Sequence, residues 1–194
     1  MPRAQRERQM IDVAVALFAE RGYVATAMDD IAERVGVSKP MLYEYFNSKE
    51  GLLIAAIRRA RTDLLAVTEQ AASDATSAEE ALWKGLYAFF EFIEERRTEW
   101  SLLRHELALV GTSAAEEVEA IRRQQTEFNA SLMRAYLPGV SDIEVEAAAE
   151  FLVGACERMA LWAENYPEVT AADATGYTMD ILWNGLGSKQ PAGS

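Results

Sequence analysis

Met28-Asp-Asp-Ile-Ala-Glu-Arg-Val-Gly-Val-Ser-Lys-Pro-Met-Leu-Tyr-Glu-Tyr-Phe46 reads as two short helices joined by a tight turn. Gly36 can supply the positive φ that such a turn requires, and the small side chain of Ala32 lets the second helix cross close over the first. Ser38 is expected to be the N-cap of the second helix, with Pro40 in its first turn, where a missing N–H costs nothing. Ile31, Val35, Leu42 and Phe46 are the expected buried anchors. Helices of about eight residues are not stable alone. The preceding segment offers them cover: Ile11, Ala14, Val15, Leu17 and Phe18 recur at spacings of three and four and form one apolar face.

The outward face of the second short helix then carries Lys39, Met41, Tyr43, Glu44 and Tyr45. A helix of this size, held proud of its domain, fits the major groove of double-stranded DNA. Lys39, Tyr43, Tyr45 and Lys49 have N–H or O–H groups suited to phosphate oxygens, which fix register without reading sequence. Ser48 is expected to cap the next helix, whose first N–H groups are also suited to phosphate. Met41 suits a thymine methyl and Glu44 the N4 amine of cytosine. Arg3 and Arg6 are read either as a basic arm beside the DNA or as a frayed terminus.

The other residues read as helix throughout, with good helix formers and no strand-like alternation. Ser77-Ala-Glu-Glu80, Ser113-Ala-Ala-Glu116 and Ser141-Asp-Ile-Glu144 have the form of capping boxes, and Thr170-Ala-Ala-Asp173 is a weaker version. Gly22, Gly36, Pro138-Gly139 and Pro167 mark stops. The expected helices are 4–21, 28–35, 39–46, 48–72, 77–96, 98–110, 113–137, 141–165 and 170–186, nine in all, in an all-α fold. They divide into a DNA-binding domain over 1–50, a larger helical domain over 51–187, and a disordered tail over 188–194.

Composition restricts what such a chain does. Of 194 residues, half are apolar and about a quarter charged, a globular balance. No apolar run reaches the ~18 residues that cross a bilayer, and no apolar core of a signal peptide follows the basic N-terminus, so a cytoplasmic protein is expected. The net charge is -12, but residues 1–50 carry only -1 of it. An acidic body behind a near-neutral head weakens non-specific DNA binding and leaves more of the work to geometry. The one cysteine, Cys156, cannot form an internal disulfide and is expected as a small buried hydrophobe, with a redox or intermolecular role as the alternative. No metal-ligand spacing, phosphate loop or nucleophile–base set is visible, so neither a cofactor nor an enzymatic activity is expected.

Leu17-Phe18-Ala-Glu-Arg-Gly22-Tyr23, Thr26, Asp30-Ile-Ala-Glu-Arg-Val-Gly-Val-Ser38 and Leu42-Tyr43-x-Tyr45-Phe46-x-Ser48-Lys49-Glu50 together resemble the N-terminal domain of the TetR family of regulators over roughly residues 6–54. The resemblance implies a homodimeric repressor with a C-terminal effector pocket, and Ser38, Lys39, Tyr43, Tyr45 and Lys49 fall at positions the family uses for DNA. Two residues depart from the pattern. Ala27 stands where a Ser or Thr often starts the second helix, with Asp29 and Asp30 offsetting the lost cap through the helix dipole. Glu44 is acidic on a face turned to DNA.

Helix 141–165 is apolar over most of its circumference and is expected to be buried on two sides; with helix 170–186 it is expected to pair with its copies about a two-fold axis, or else to be buried within one chain. A dimer of this kind presents its reading helices about 34–36 Å apart to a palindromic operator. Trp83, Tyr87, Phe90, Trp100, Leu103, His105, Phe128 and Met133 form an aromatic stripe in the middle helices, read either as core or as the lining of an effector cavity; His105 is the candidate polar contact or an ordinary histidine. The function expected is a ligand-responsive repressor, released from its operator by a small apolar or amphipathic effector acting through helix 48–72. A helical small-molecule-binding protein or enzyme with a vestigial helix-turn-helix is the alternative.

Overall fold

The computed structural model describes residues 2–98, 100, 114–136 and 139–184. Among them are eight helices and no strand: α1 (Arg3–Arg21), α2 (Met28–Val35), α3 (Lys39–Phe46), α4 (Lys49–Ala72), α5 (Ala78–Glu95), α6 (Ala114–Tyr136), α7 (Asp142–Ala163) and α8 (Ala171–Leu182). Packing groups the chain into two units, one of residues 1–63 with 96–122, the other of 64–95 with 123–194. The expected division after residue 50 falls at the start of α4, whereas the packing division falls within that helix, after Asp63. The expected helix 98–110, the Ser113 capping box and the expected tail lie largely or wholly outside the described residues.

In the first unit α2 packs on α1 and on α3. The apolar face of α1 is buried as its spacing dictates, with Met10, Ile11, Ala14, Val15, Leu17 and Phe18 all in the core. Ile31, Leu42 and Phe46 join them, but Val35 does not; it ends α2 half-buried, beside the turn rather than under it. The first turn of α2 is held without a side-chain cap: the Asp30 carboxylate accepts from the Ala27 N–H at 2.9 Å, so one half of a capping box survives the loss of Ser or Thr at this position. On the side of α1, Arg59 of α4 donates to Asp12 at 2.6 Å and to the Arg8 carbonyl at 3.2 Å, beside an open groove of about 310 Å³.

In the second unit α5 packs extensively on α8, and α7 contacts both. Ser141 and Glu144 close a reciprocal capping box at the start of α7, and Thr170 with Asp173 does the same for α8. The box expected at Ser77 is shared: Ser77 Oγ accepts from the Glu80 N–H, but the Glu80 carboxylate reaches back to the N–H and hydroxyl of Thr76. Those bonds, the Thr76 N–H foremost, lower the Glu80 carboxyl to about 2. α7 ends two residues earlier than the sequence suggests, because Asn165 and Tyr166 turn back to Trp162 and Ala163 in tighter bonds, and the Asn165 amide donates to the last carbonyls.

The α7 face turned into its own chain is narrower than expected. Val145, Ala149, Val153, Cys156 and Ala160 are buried, while Ile143 and Phe151 are exposed. The expectation of burial on two sides is therefore met on one side only within a single chain. Cys156 lies on the buried side, and desolvation, with the Glu157 carboxylate adding to it, pushes its thiol up to about 12. A thiol so far above neutrality supplies almost no thiolate. Iodoacetamide at pH 8 is expected to leave the native protein unmodified and to alkylate one thiol per chain in denaturant, as read by mass; rapid native modification would show that this packing is wrong.

Candidate nucleic-acid interface

The reading helix is bounded at both of its ends by residues with positive φ. Gly36, which ends α2, has φ 78 and ψ 36, and its N–H bonds back to Ala32 and Glu33. Asn47, which ends α3, has φ 61 and is the described non-glycine residue with positive φ; Asn tolerates this region better than most residues. Between these two bends α3 presents one face outward. Lys39, Pro40, Tyr43 and Glu44 are exposed, Leu42 and Phe46 are buried, and Met41 and Tyr45 lie half-buried on the flanks.

The predicted site residues are placed as follows. Ser38 is the N-cap of α3, but its hydroxyl makes no capping bond; its carbonyl accepts from Met41 and Leu42 N–H instead, and the hydroxyl is exposed. Lys39 Nζ donates to Asp29 at 2.8 Å, and this bond, with the charge of Asp29, raises its affinity for the proton. Both partners are exposed, so the pair can open to a competing phosphate at small cost. Tyr43 is exposed beside Lys39, and its hydroxyl and the Glu44 carboxylate have no hydrogen-bond partner among the described residues. Met41 Sδ accepts from Arg6 Nη1 at 3.6 Å, and the Arg3 guanidinium lies 4.8 Å over the Tyr45 ring. Arg3 and Arg6 lie on the first turns of α1, against the flanks of the reading helix.

Ser48 caps α4 as expected, accepting from the Gly51 N–H at 2.9 Å. Lys49 departs from expectation. Its ammonium donates to the carbonyls of Tyr23 and Thr26, both at 2.8 Å, and of Val24 at 3.3 Å. An ammonium has three N–H donors, so in this arrangement none is left for a phosphate. Sequence reasoning also missed Asn47 and Gly51. Asn47 has ψ -36, outside the left-handed helical region that Gly36 occupies, and the Ser48 N–H donates across it to the Phe46 carbonyl at 2.7 Å.

The residues proposed to line an effector cavity fall in both units and partly outside the described residues. Phe90 is buried in α5, but Trp83 on the same helix is 44 % exposed and stacks at 5.3 Å on Tyr87, whose hydroxyl bonds to Glu91. Phe128 is half-buried in α6, and Trp100 is buried in the other unit. Leu103 and His105 lie outside the described residues. The second unit also carries an open concavity of about 470 Å³, lined by Met159, Trp162, Glu168, Val169 and Tyr177.

Comparison with known proteins places this architecture. A family model described as bacterial regulatory proteins of the tetR family matches residues 10–56, and a tetracyclin repressor-like C-terminal domain matches residues 78–185. The chain is 30 % identical to the HTH-type transcriptional activator FasR of Mycolicibacterium smegmatis over 190 residues, covering 96 % of this chain and 85 % of that one. It is 27 % identical to the HTH-type transcriptional repressor KstR2 of Rhodococcus jostii, covering 94 % and 92 %. A TetR-like regulator from Rhodococcus sp. RHA1 superimposes with a TM-score of 0.75 at 32 % identity, covering 96 % and 98 %. FadR of Bacillus subtilis, solved in complex with stearoyl-CoA, shares the fold with a TM-score of 0.80 at 19 % identity, covering 92 % and 98 %. Both ends of the chain match one family, its helix-turn-helix stands where that family's does, and the chain belongs to the tetR family as a DNA-binding transcriptional regulator.

Proposed function

We propose that the protein is a ligand-responsive repressor that binds a palindromic operator as a homodimer. The observation that carries the DNA reading is the exposed face of α3, where Lys39, Tyr43 and Glu44 stand free of the core between the bends at Gly36 and Asn47. Ser38 and Ser48 flank that face, and Met41 and Tyr45 border it. No helix among the described residues is long and apolar enough to cross a membrane, and a DNA partner assigns the work to the cytoplasm. Dimerisation through α7 and α8 is supported by the apolar side chains those helices leave open, Ile143, Phe151, Tyr177 and Ile181, and by exposed Trp183 just after α8. The effector is read as amphipathic, on the likeness in fold to a protein that holds stearoyl-CoA. No residue is assigned a catalytic role.

Footprinting of the gene's own upstream region is expected to reveal an inverted repeat, and deletion of the gene to raise transcription of its neighbours. A fall in transcription would favour activation, the second reading, which the named activity of FasR supports. Fluorescence anisotropy on the footprinted duplex tests the site. Lys39→Ala is expected to reduce the slope of log affinity against log salt by about 0.9, the value of one phosphate contact. Tyr43→Phe is expected to weaken binding to all duplexes alike; a change confined to base preference would refute its phosphate role. Acyl-CoA thioesters are expected to release the duplex, and retention across a panel of chain lengths would count against this effector class.

A further inference from the structure

Glu44 sets a negative charge on the surface that the reading helix offers to a polyanion, and no described residue cancels it. Its side chain is exposed on α3, and its carboxylate has neither a hydrogen-bond nor an ion-pair partner among the described residues. One turn back, where a cation on the same helix would neutralise it best, stand the uncharged Pro40 and Met41. The cations nearby are engaged elsewhere. Lys39 Nζ is held by Asp29 of α2 at 2.8 Å, Arg6 donates to Met41 Sδ at 3.6 Å, and Arg3 lies over the Tyr45 ring.

A carboxylate in this place is repelled by every phosphate and gains from few groups in the major groove. It can only accept hydrogen bonds. The O6 and N7 of guanine and the O4 of thymine are acceptors as well, so those edges repel it. The donors on offer are exocyclic amines, N4 of cytosine and N6 of adenine. The adenine amine lies between two acceptors, its own N7 and the O4 of the paired thymine, whereas the cytosine amine has the O6 of the paired guanine on one side only. Cytosine is therefore the better partner.

We infer that Glu44 is a specificity-determining residue that works by exclusion: its carboxylate admits a base with an exocyclic amine, foremost cytosine, at one position of each half-site and rejects guanine or thymine there. The inference rests on the DNA-binding reading and adds to it the base chemistry the operator must carry. Exclusion and phosphate contact differ in what their removal does. Loss of a phosphate contact weakens binding to every sequence, whereas loss of the carboxylate relieves the sequences it had rejected.

Anisotropy against duplexes in which each base pair of the footprinted half-site is replaced in turn tests this. Wild type is expected to prefer cytosine to guanine and thymine by at least about tenfold at one position per half-site. Glu44→Ala is expected to flatten that position alone and to bind a duplex lacking the repeat several-fold more tightly. Glu44→Gln is expected to move the preference to adenine, whose N6 and N7 an amide meets together. Asp29→Asn removes the same charge from the neighbouring helix and serves as the control, expected to change binding to all duplexes alike. Both substitutions at 44 put a good helix former in place of an exposed side chain, so the melting point is expected to stay at its wild-type value. A wild-type preference for adenine that Glu44→Ala abolishes would support the amine with N6 as its source. A base profile unchanged in Glu44→Ala, or variants at 44 and 29 that shift all duplexes equally, would overturn the inference and leave DNA binding intact. A wild-type chain that binds no duplex would overturn both readings.

Discussion

Gly51→Ala is expected to destabilise the N-terminal unit by about 2 kcal/mol or more, against the ordinary preference of a helix for alanine over glycine. Gly51 lies in the first turn of α4, where that preference is worth about 1 kcal/mol. A Cβ built there, however, would stand 2.1 Å from the Phe46 carbonyl oxygen and 3.3 Å from its carbon. Both are backbone atoms at the end of α3, with no rotamer by which to withdraw. The last turn of the reading helix must shift relative to α4, and Phe46 and Leu42, both buried, must shift with it. Melting followed by circular dichroism should show the midpoint several degrees lower, and anisotropy should show weaker DNA binding from the displaced α3. Gly36→Ala makes the control. It has φ 78 but an unobstructed Cβ, so it carries only the left-handed backbone cost of about 1–2 kcal/mol. A melting point that rises in Gly51→Ala would show that this close approach is absent.

Phe151→Glu is expected to split the proposed dimer and to cost the protein 10²-fold or more in operator affinity. Phe151 is 64 % exposed on α7, and Ile143 on the same helix is 79 % exposed. α8 adds exposed Tyr177 and Ile181, with the small residues Ala172 and Gly176 among them to admit a helix closely. A patch of this kind on a chain with net charge -12 is costly to leave in water. Two-fold symmetry introduces every substitution twice, so one Glu per chain sets two like charges into an apolar seam. Sedimentation equilibrium should then fall from twice the chain mass of 21.5 kDa to that mass itself. On the proposed palindromic operator each monomer would then grip one half-site, and the gain from joining two, commonly about 10²–10⁴, would be lost. A variant that remains dimeric and binds the duplex like wild type would remove α7 from the interface.

The sequence disclosed what is local. Ser141 and Glu144, or Thr170 and Asp173, need only three residues of separation to recognise one another, and these boxes close as expected. The bounds of α2 and α3 follow from Gly36, Ser38 and Pro40 for the same reason. What remained hidden depends on contacts distant in the chain. Lys49 meets carbonyls 23 to 26 residues away, and nothing near position 49 announces them. Gly51 reads as a weak helix residue until the end of α3 is seen against it. Trp83 and Phe90 share a helical stripe, yet one is exposed and the other buried, because periodicity tells which residues lie together and not how far a neighbouring helix covers them.

The contacts of Arg3 with Tyr45 and of Arg6 with Met41 have a practical bearing. Any extra segment grafted ahead of Pro2, such as a purification handle, would emerge within reach of the groove-facing surface. It would bring its own charges to the duplex and alter the apparent affinity with no change in α3 itself. Preparations meant for quantitative binding are better made with no extension at this end.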